Sequence, residues 1–164
     1  DKLLKVIKPK VSVIVAVYNS GEYLRPCLDS ICAQTLDNIE ILLVDDGSTD
    51  GSRQVLDEYE CKDARVRVFD HEHSGLGGAG ARNVGIMHAK GEYLLILDSD
   101  DYFEPTLVEE TYAYAKAKYA DVVISNIDVG ACHSAHICPL LQAVQPFLQQ
   151  DCVRSLVLLS FRLK

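Results

Sequence analysis

The sequence predicts an α/β domain, a mainly parallel sheet flanked by helices, with a short helical tail at the C-terminus. Three observations predict it. Short runs rich in apolar and β-branched residues recur along the chain, each bounded by turn residues. Between them lie stretches of helical periodicity, long enough to serve as the crossovers that parallel strands require. The length, 164 residues, suits one domain with a substantial core.

Val11–Val17 (VSVIVAV) and Ile39–Val44 (IEILLV) are nearly continuous apolar runs, so both read as strands buried largely on two faces. Val66–Phe69 is a shorter strand with Arg67 turned outward. Tyr93–Leu97 (YLLIL) and Asp121–Ser125 (DVVIS) complete five strands. Helices are expected over Glu22–Gln34, Ser52–Glu60, Ala79–Ala89 and Pro105–Ala117. Pro105 suits a first helical turn, and Gly91 after Lys90 suits a helix stop. Composition changes near residue 129: Val129–Lys164 carries only four charged residues, Asp151, Arg154, Arg162 and Lys164. The chain therefore divides into a domain over residues 1–128 and an apolar tail over 129–164. Gln142–Gln150 and Val153–Leu163 of that tail have helical patterns. A surface so poor in charge needs a cover, such as the sheet or a second copy of the chain.

Net charge is −8, from 24 acidic and 16 basic residues, which argues against a broad nucleic-acid face. Lys2, Lys5, Lys8 and Lys10 read as a solvated lead-in. The longest apolar run, Val13–Tyr18, is far short of the ~18 residues that span a bilayer. No secretion signal is read, and a cytoplasmic protein, or one peripheral to the inner face of the membrane, is expected. The six cysteines show no paired CxxC, so reduced structural thiols are expected. Cys132, His133, His136 and Cys138 are too irregular for a zinc site.

In open parallel sheets, ligands bind beyond the carboxyl ends of the strands. Four polar constellations lie at or near such ends. Tyr18-Asn19-Ser20 follows the first strand and is a turn taken alone. Asp45-Asp46-Gly47-Ser48-Thr49-Asp50 follows the second; most of it reads as a turn into a helix cap. Its two adjacent carboxylates repel each other unless something binds them. Ser74–Asn83 contains Gly75, Gly77 and Gly80 in G-x-G-x-x-G spacing, with Asp98 about twenty residues on, as in a dinucleotide fingerprint. Five residues separate those glycines from their strand, and the first strand lacks the motif. A loop leading into a helix that bears Arg82 suits a phosphate or nucleotide contact better. Asp98-Ser99-Asp100-Asp101 follows YLLIL; carboxylates at i and i+2 can share one hard cation completed by water and phosphate oxygens. His71, His73 and His88 read as surface residues, Tyr102 and Phe103 as rim and core.

The runs VSVIVAVYN, EILLVDDGSTD, GLGGAGARNVGI and GEYLLILDSDD, in this order and spacing over residues 10–127, resemble the family 2 glycosyltransferases of the Rossmann-like GT-A fold. The resemblance implies a nucleotide-sugar donor, often a UDP-sugar, bound Mn2+ or Mg2+, a glycan or lipid-linked acceptor, and inversion at the anomeric carbon. Carried over by position, Ala16, Tyr18 and Asp46 would line the base, with Asp46 accepting from the uracil ring. Arg82 would sit beside the base or diphosphate. Asp98 would face the ribose or metal, Asp100 would be the main metal carboxylate and Asp101 an auxiliary. The family's general base lies in a later acidic motif that is not recognisable here, and Asp151 is the tail's only carboxylate. Two other readings remain open: a nucleotidyltransferase, and a non-catalytic nucleotide-binding domain. The first usually carries a basic, Gly-rich loop after strand one, where this chain has Tyr18-Asn19-Ser20-Gly21.

Overall fold

Four of the apolar runs form one parallel sheet: β1 (Val11–Val17), β2 (Ile39–Asp45), β3 (Val66–Asp70) and β4 (Tyr93–Asp98). The structure is a computed structural model that describes residues 8–123 except 74, 76 and 77. The strand order is β3-β2-β1-β4, so β1 is central between β2 and β4. Four helices connect or follow the strands: α1 (Leu24–Cys32), α2 (Ser52–Lys62), α3 (Ala79–His88) and α4 (Leu107–Lys118).

The register explains how a short chain buries both faces of the sheet. Val11 lies opposite Ile39 and Tyr93, and the pairing runs unbroken to Val17 and Asp45. Because strand side chains alternate, Val13, Val15, Ile41, Leu43, Leu95 and Leu97 share one face. They form the main core with Leu24, Cys27, Leu28 and Ile31 of α1, Leu56 of α2 and Val108 of α4. Ile14 and Leu42, also fully buried, face the opposite layer, where α3 lies. There a Cβ at Gly85 would come within 2.4 Å of Ile14 Cγ2, so a residue without a side chain lets α3 settle on β1. Placing α1 and α2 on one face and α3 on the other follows from right-handed crossovers, since the chain reverses its direction across the sheet after β3.

Most element ends shift by one or two residues, and three differences have a structural reason. The helix expected from Glu22 begins with a 3-10 turn, Gly21–Tyr23, before α1 proper. Pro105 precedes α4, whose cap is Thr106. Gly91 is not the helix stop: α3 ends at His88, and Ala89 is already extended. Gly91 is small because the chain passes against β1, where a Cβ would lie 2.5 Å from the Ser12 backbone nitrogen. Its N–H donates to Ser12 Oγ (2.8 Å) and Glu40 Oε1 (3.2 Å), while the Ser12 hydroxyl donates to the same carboxylate oxygen (2.6 Å). This buried polar knot ties the loop before β4 to the amino-terminal end of the sheet. Of the fifth strand, residues 121–123 have no strand assignment; Ile124, Ser125 and the 129–164 tail lie outside the described residues. Among the described residues no helix is long and apolar enough to cross a membrane.

Candidate functional site

The strand order creates a switch point. From β1 the chain moves outward through β2 to β3, then returns to place β4 on the other side of β1. The segment from β3 into α3 therefore crosses to the other face while the loops after β1 and β4 stay together, and a crevice lies at the carboxyl ends of the strands. A cleft of about 230 Å³ occupies that position. Ala16, Val17 and Tyr18 supply its floor from β1, and Asp46 comes from the end of β2. His73 follows β3, Gly78 and Arg82 come from the start of α3, and Asp98, Ser99 and Asp100 from the end of β4. Five residues expected at a nucleotide site, Ala16, Tyr18, Asp46, Arg82 and Asp98, thus meet in one cleft with Asp100.

The loops after β1 and β2 are knitted together. Asn19 holds a left-handed backbone (φ 48°), and its side-chain oxygen accepts from the Thr49 N–H (2.8 Å) while its own N–H donates to Ser48 Oγ (3.1 Å). Ser20 N–H donates to Ser52 Oγ (3.1 Å) and Gly21 N–H to Asp50 Oδ2 (3.0 Å). The Gly47–Asp50 stretch is therefore a turn, as expected, and also a clamp on the neighbouring loop. The Ser20 and Ser99 hydroxyls are hydrogen-bonded at 2.6 Å, which links the β1 loop to the β4 loop.

Asp46 is buried, with 2% of its surface exposed. His71 Nδ1 meets its Oδ1 at 2.6 Å, and His73 Nδ1 meets its Oδ2 at 2.9 Å. Burial alone would raise its pKa, but the hydrogen bonds from the two imidazoles outweigh it and hold the carboxyl below its ordinary value. His73 also stacks on Tyr18, with ring centroids 4.1 Å apart and planes 9° from parallel. His71 packs against α3, where a Cβ at Gly80 would fall 2.5 Å from its ring.

The surface reading of His71 and His73 is thus incomplete: His71 is half-buried, His73 is exposed as expected, and both grip the buried carboxylate, His73 also lining the cleft. His88 is exposed, its Nδ1 2.9 Å from the Val84 carbonyl. The cause is sheet order. β3 pairs with β2 so that Asp70 sits opposite Asp45, which brings the residues just after each strand side by side. A parallel pairing of the second and third strands, had it been inferred, would have set His71 beside Asp46.

Arg82 donates a charged hydrogen bond to Asp98 Oδ1. Asp101 closes a turn through its N–H onto the Asp98 carbonyl (3.0 Å), and it is not part of the cleft lining. Among the described residues no group of three or more His, Cys, Asp or Glu side chains converges as a metal cage. Two carboxylates, Asp98 and Asp100, do line the cleft. That donor set fits Mg2+ or Mn2+ held in the usual nucleotide fashion, by one or two carboxylates with phosphate oxygens completing the shell. Phe103 is buried and Tyr102 exposed, as core and rim residues. Asp151 and the Cys132–Cys138 cluster lie outside the described residues.

The sequence model described as glycosyl transferase family 2 matches residues 12–155. The chain belongs to that family. Among its relatives, glycosyltransferase GlyG of Streptococcus pneumoniae is 50% identical over 116 residues, covering 71% of this chain and 38% of that protein. The crystal structure of S. aureus TarS 1–349 in complex with UDP-GlcNAc is similar with a TM-score of 0.70 and 32% identity. It is matched over 77% of this chain and 37% of its own. The mannosyltransferase PcManGT from Pyrobaculum calidifontis, in complex with GDP-Man and Mn2+, has a TM-score of 0.53 at 29% identity, over 60% of this chain and 29% of its own. The family 2 likeness extends to the fold, a parallel Rossmann-like sheet shared with TarS. The chain spans 38% or less of the length of each of these three proteins.

Proposed function

We propose that this chain is the donor-binding part of a metal-dependent, inverting glycosyltransferase that uses a UDP-sugar and a hydroxyl acceptor on a glycan or lipid. The observation that carries the reading is the single cleft shared by Asp46 at the end of β2 and Asp98 and Asp100 at the end of β4. An ionised carboxylate only accepts hydrogen bonds, so Asp46 suits the ring N–H of uracil. Ala16 and Tyr18 line the base beside it. Arg82 holds a permanent positive charge next to Asp98, suited to ribose or diphosphate oxygens. Asp98 and Asp100 would hold a divalent cation, with Asp101 behind them; such an ion supplies Lewis-acid stabilisation to a departing diphosphate. Support for the donor comes from the TarS complex with UDP-GlcNAc, and for the metal from PcManGT with Mn2+.

Transfer also needs a general base for the acceptor hydroxyl. Asp151 is the tail's candidate for it, and the chain matches only part of each relative's length. The 164-residue chain is therefore expected to bind donor and to transfer sugar slowly or not at all. Calorimetric titration tests the reading. Asp100→Asn should weaken UDP about tenfold or more in Mn2+, roughly 1.4 kcal/mol, with little change in EDTA. Asp46→Ala should weaken UDP in both. Equal affinity of wild type and Asp100→Asn in Mn2+ would sink the metal assignment. Rapid transfer abolished by Asp151→Asn, with donor binding intact, would overturn the account of the tail.

A further inference from the structure

His73 is fixed from three sides. Its Nδ1 lies 2.9 Å from Asp46 Oδ2 and its ring stacks on Tyr18. Beneath it, Gly47 adopts a left-handed backbone (φ +76°), and a Cβ there would press on His73 Cβ at 3.3 Å. An imidazole held so tightly at the wall of a cleft has a defined plane and a defined tautomer. With Nδ1–H donating to the carboxylate, the proton on that nitrogen is committed. The Tyr18–His73 stack is closed at 4.1 Å, so no base enters between the rings. A base reaching the Asp46 edge must lie against the outer surface of this pair.

The carboxylate is shared in a way that leaves room. Each Asp46 oxygen takes one imidazole, Oδ1 from His71 and Oδ2 from His73. A carboxylate offers about four lone-pair sites, so acceptor capacity remains for a ligand while both imidazoles fix the direction in which it is offered. We propose that His73 is a specificity-determining residue of the donor site, whose ring forms the platform for the nucleobase and sets the Asp46 carboxylate to accept a ring N–H. The inference rests on the reading of Asp46 as the base-contacting residue. It assigns a chemical class: nucleoside diphosphates whose base presents a ring N–H at its pairing edge, as uracil and guanine do. Cytosine is excluded, because its N3 lone pair would face the carboxylate.

Two variants separate the two parts of the role. His73→Phe keeps a ring for stacking and removes the donor; His73→Asn keeps a short polar donor and removes the ring. The side chain is about one-third exposed, so neither replacement threatens the core. Dissociation constants for UDP and CDP would be measured calorimetrically in Mn2+, with inorganic pyrophosphate as a base-free probe. Wild type is expected to prefer UDP over CDP by about tenfold or more. His73→Phe should shrink that ratio about threefold or more, the scale of one hydrogen bond. His73→Asn should weaken UDP and CDP together, about tenfold as for a lost stacking partner, with the ratio kept. Pyrophosphate should bind all three proteins alike.

UDP and CDP constants within twofold of wild type in both variants would overturn the inference, as would a parallel loss of pyrophosphate, which marks a structural prop. Asp46→Asn distinguishes the underlying reading. If it leaves the UDP-to-CDP ratio unchanged, the base-contacting role of Asp46 fails and this inference with it. If it collapses the ratio while His73→Phe leaves the ratio unchanged, only the role of His73 is lost.

Discussion

Asp45 and Asp46 are adjacent buried carboxylates, and each is satisfied by different partners. Asp45 accepts the Ser48 N–H (3.2 Å) inside its own turn, whereas Asp46 reaches two imidazoles from beyond β3. The mutual repulsion expected of the pair is thereby offset within the protein, before any ligand arrives. A second residue of interest lies under the β4 loop. Burial, followed by the nearby Asp101, Asp100 and Asp98 charges, pushes the Cys27 thiol up to about 12, and burial with Asp63 pushes Cys32 to about 11. Alkylation requires the thiolate and access to it. Iodoacetamide at neutral pH should therefore modify exposed Cys61 rapidly in the native protein, and Cys27 and Cys32 only after urea unfolding. Peptide mass spectrometry that found native Cys27 labelled as fast as Cys61 would contradict the packing beneath the cleft.

At the level of elements, α3 is the most constrained. Gly78 caps it in a left-handed conformation, Gly80 admits the His71 ring, and Gly85 meets Ile14. Gly85→Ala should cost about 1–3 kcal/mol, the usual effect of overpacking a full core, measured by urea unfolding. Combined with Ile14→Ala, it should cost less than the sum of the single changes, because the methyl would fill the space vacated. Additive costs would mean that α3 does not rest on Ile14. The strands were legible because fully buried parallel strands are continuous apolar runs, and β1 agrees with its expected span residue for residue. Helix ends were less so. Gly91 has the residue type of a stop signal, but its smallness serves a close approach to Ser12 from across the sheet, 79 positions away. Of the five cleft residues expected at a nucleotide site, Ala16, Tyr18, Asp46 and Asp98 could be placed at strand ends and Arg82 on a helix from sequence alone. His71 and His73 could not, since their role depends on which strands are neighbours.

For the whole molecule, the linkage of charge to stability has a definite sign. Hydrogen bonds from Arg65 hold Asp63 below its ordinary value, and those from Ser52 do the same for Asp50; at Asp46 the imidazole bonds prevail over burial. With folded-state values depressed, the unfolded chain takes up protons first as pH falls. The stability these groups contribute is present above the ordinary carboxylate range, about pH 4, and is lost progressively below it. The urea midpoint should accordingly stay nearly level from pH 7 to about 5 and fall below about 4. Asp63→Asn should lower it at pH 7 and flatten the acid slope; an unchanged slope would remove the Arg65 pair from the account. The sheet order has one more consequence, in the timing of assembly. β1 lies beside β2 within a short span of chain, but its other neighbour is β4, with Val11 opposite Tyr93. Contacts so distant in sequence close late, because a long loop must be ordered before they form. During synthesis, the half of the cleft that carries Asp46 can exist while the half that carries Asp100 has yet to emerge. Chains truncated before Tyr93 should thus retain the first three strands' sequence and bind no nucleotide, leaving the ligand unable to guide the folding of its own site until nearly the whole described domain has been made.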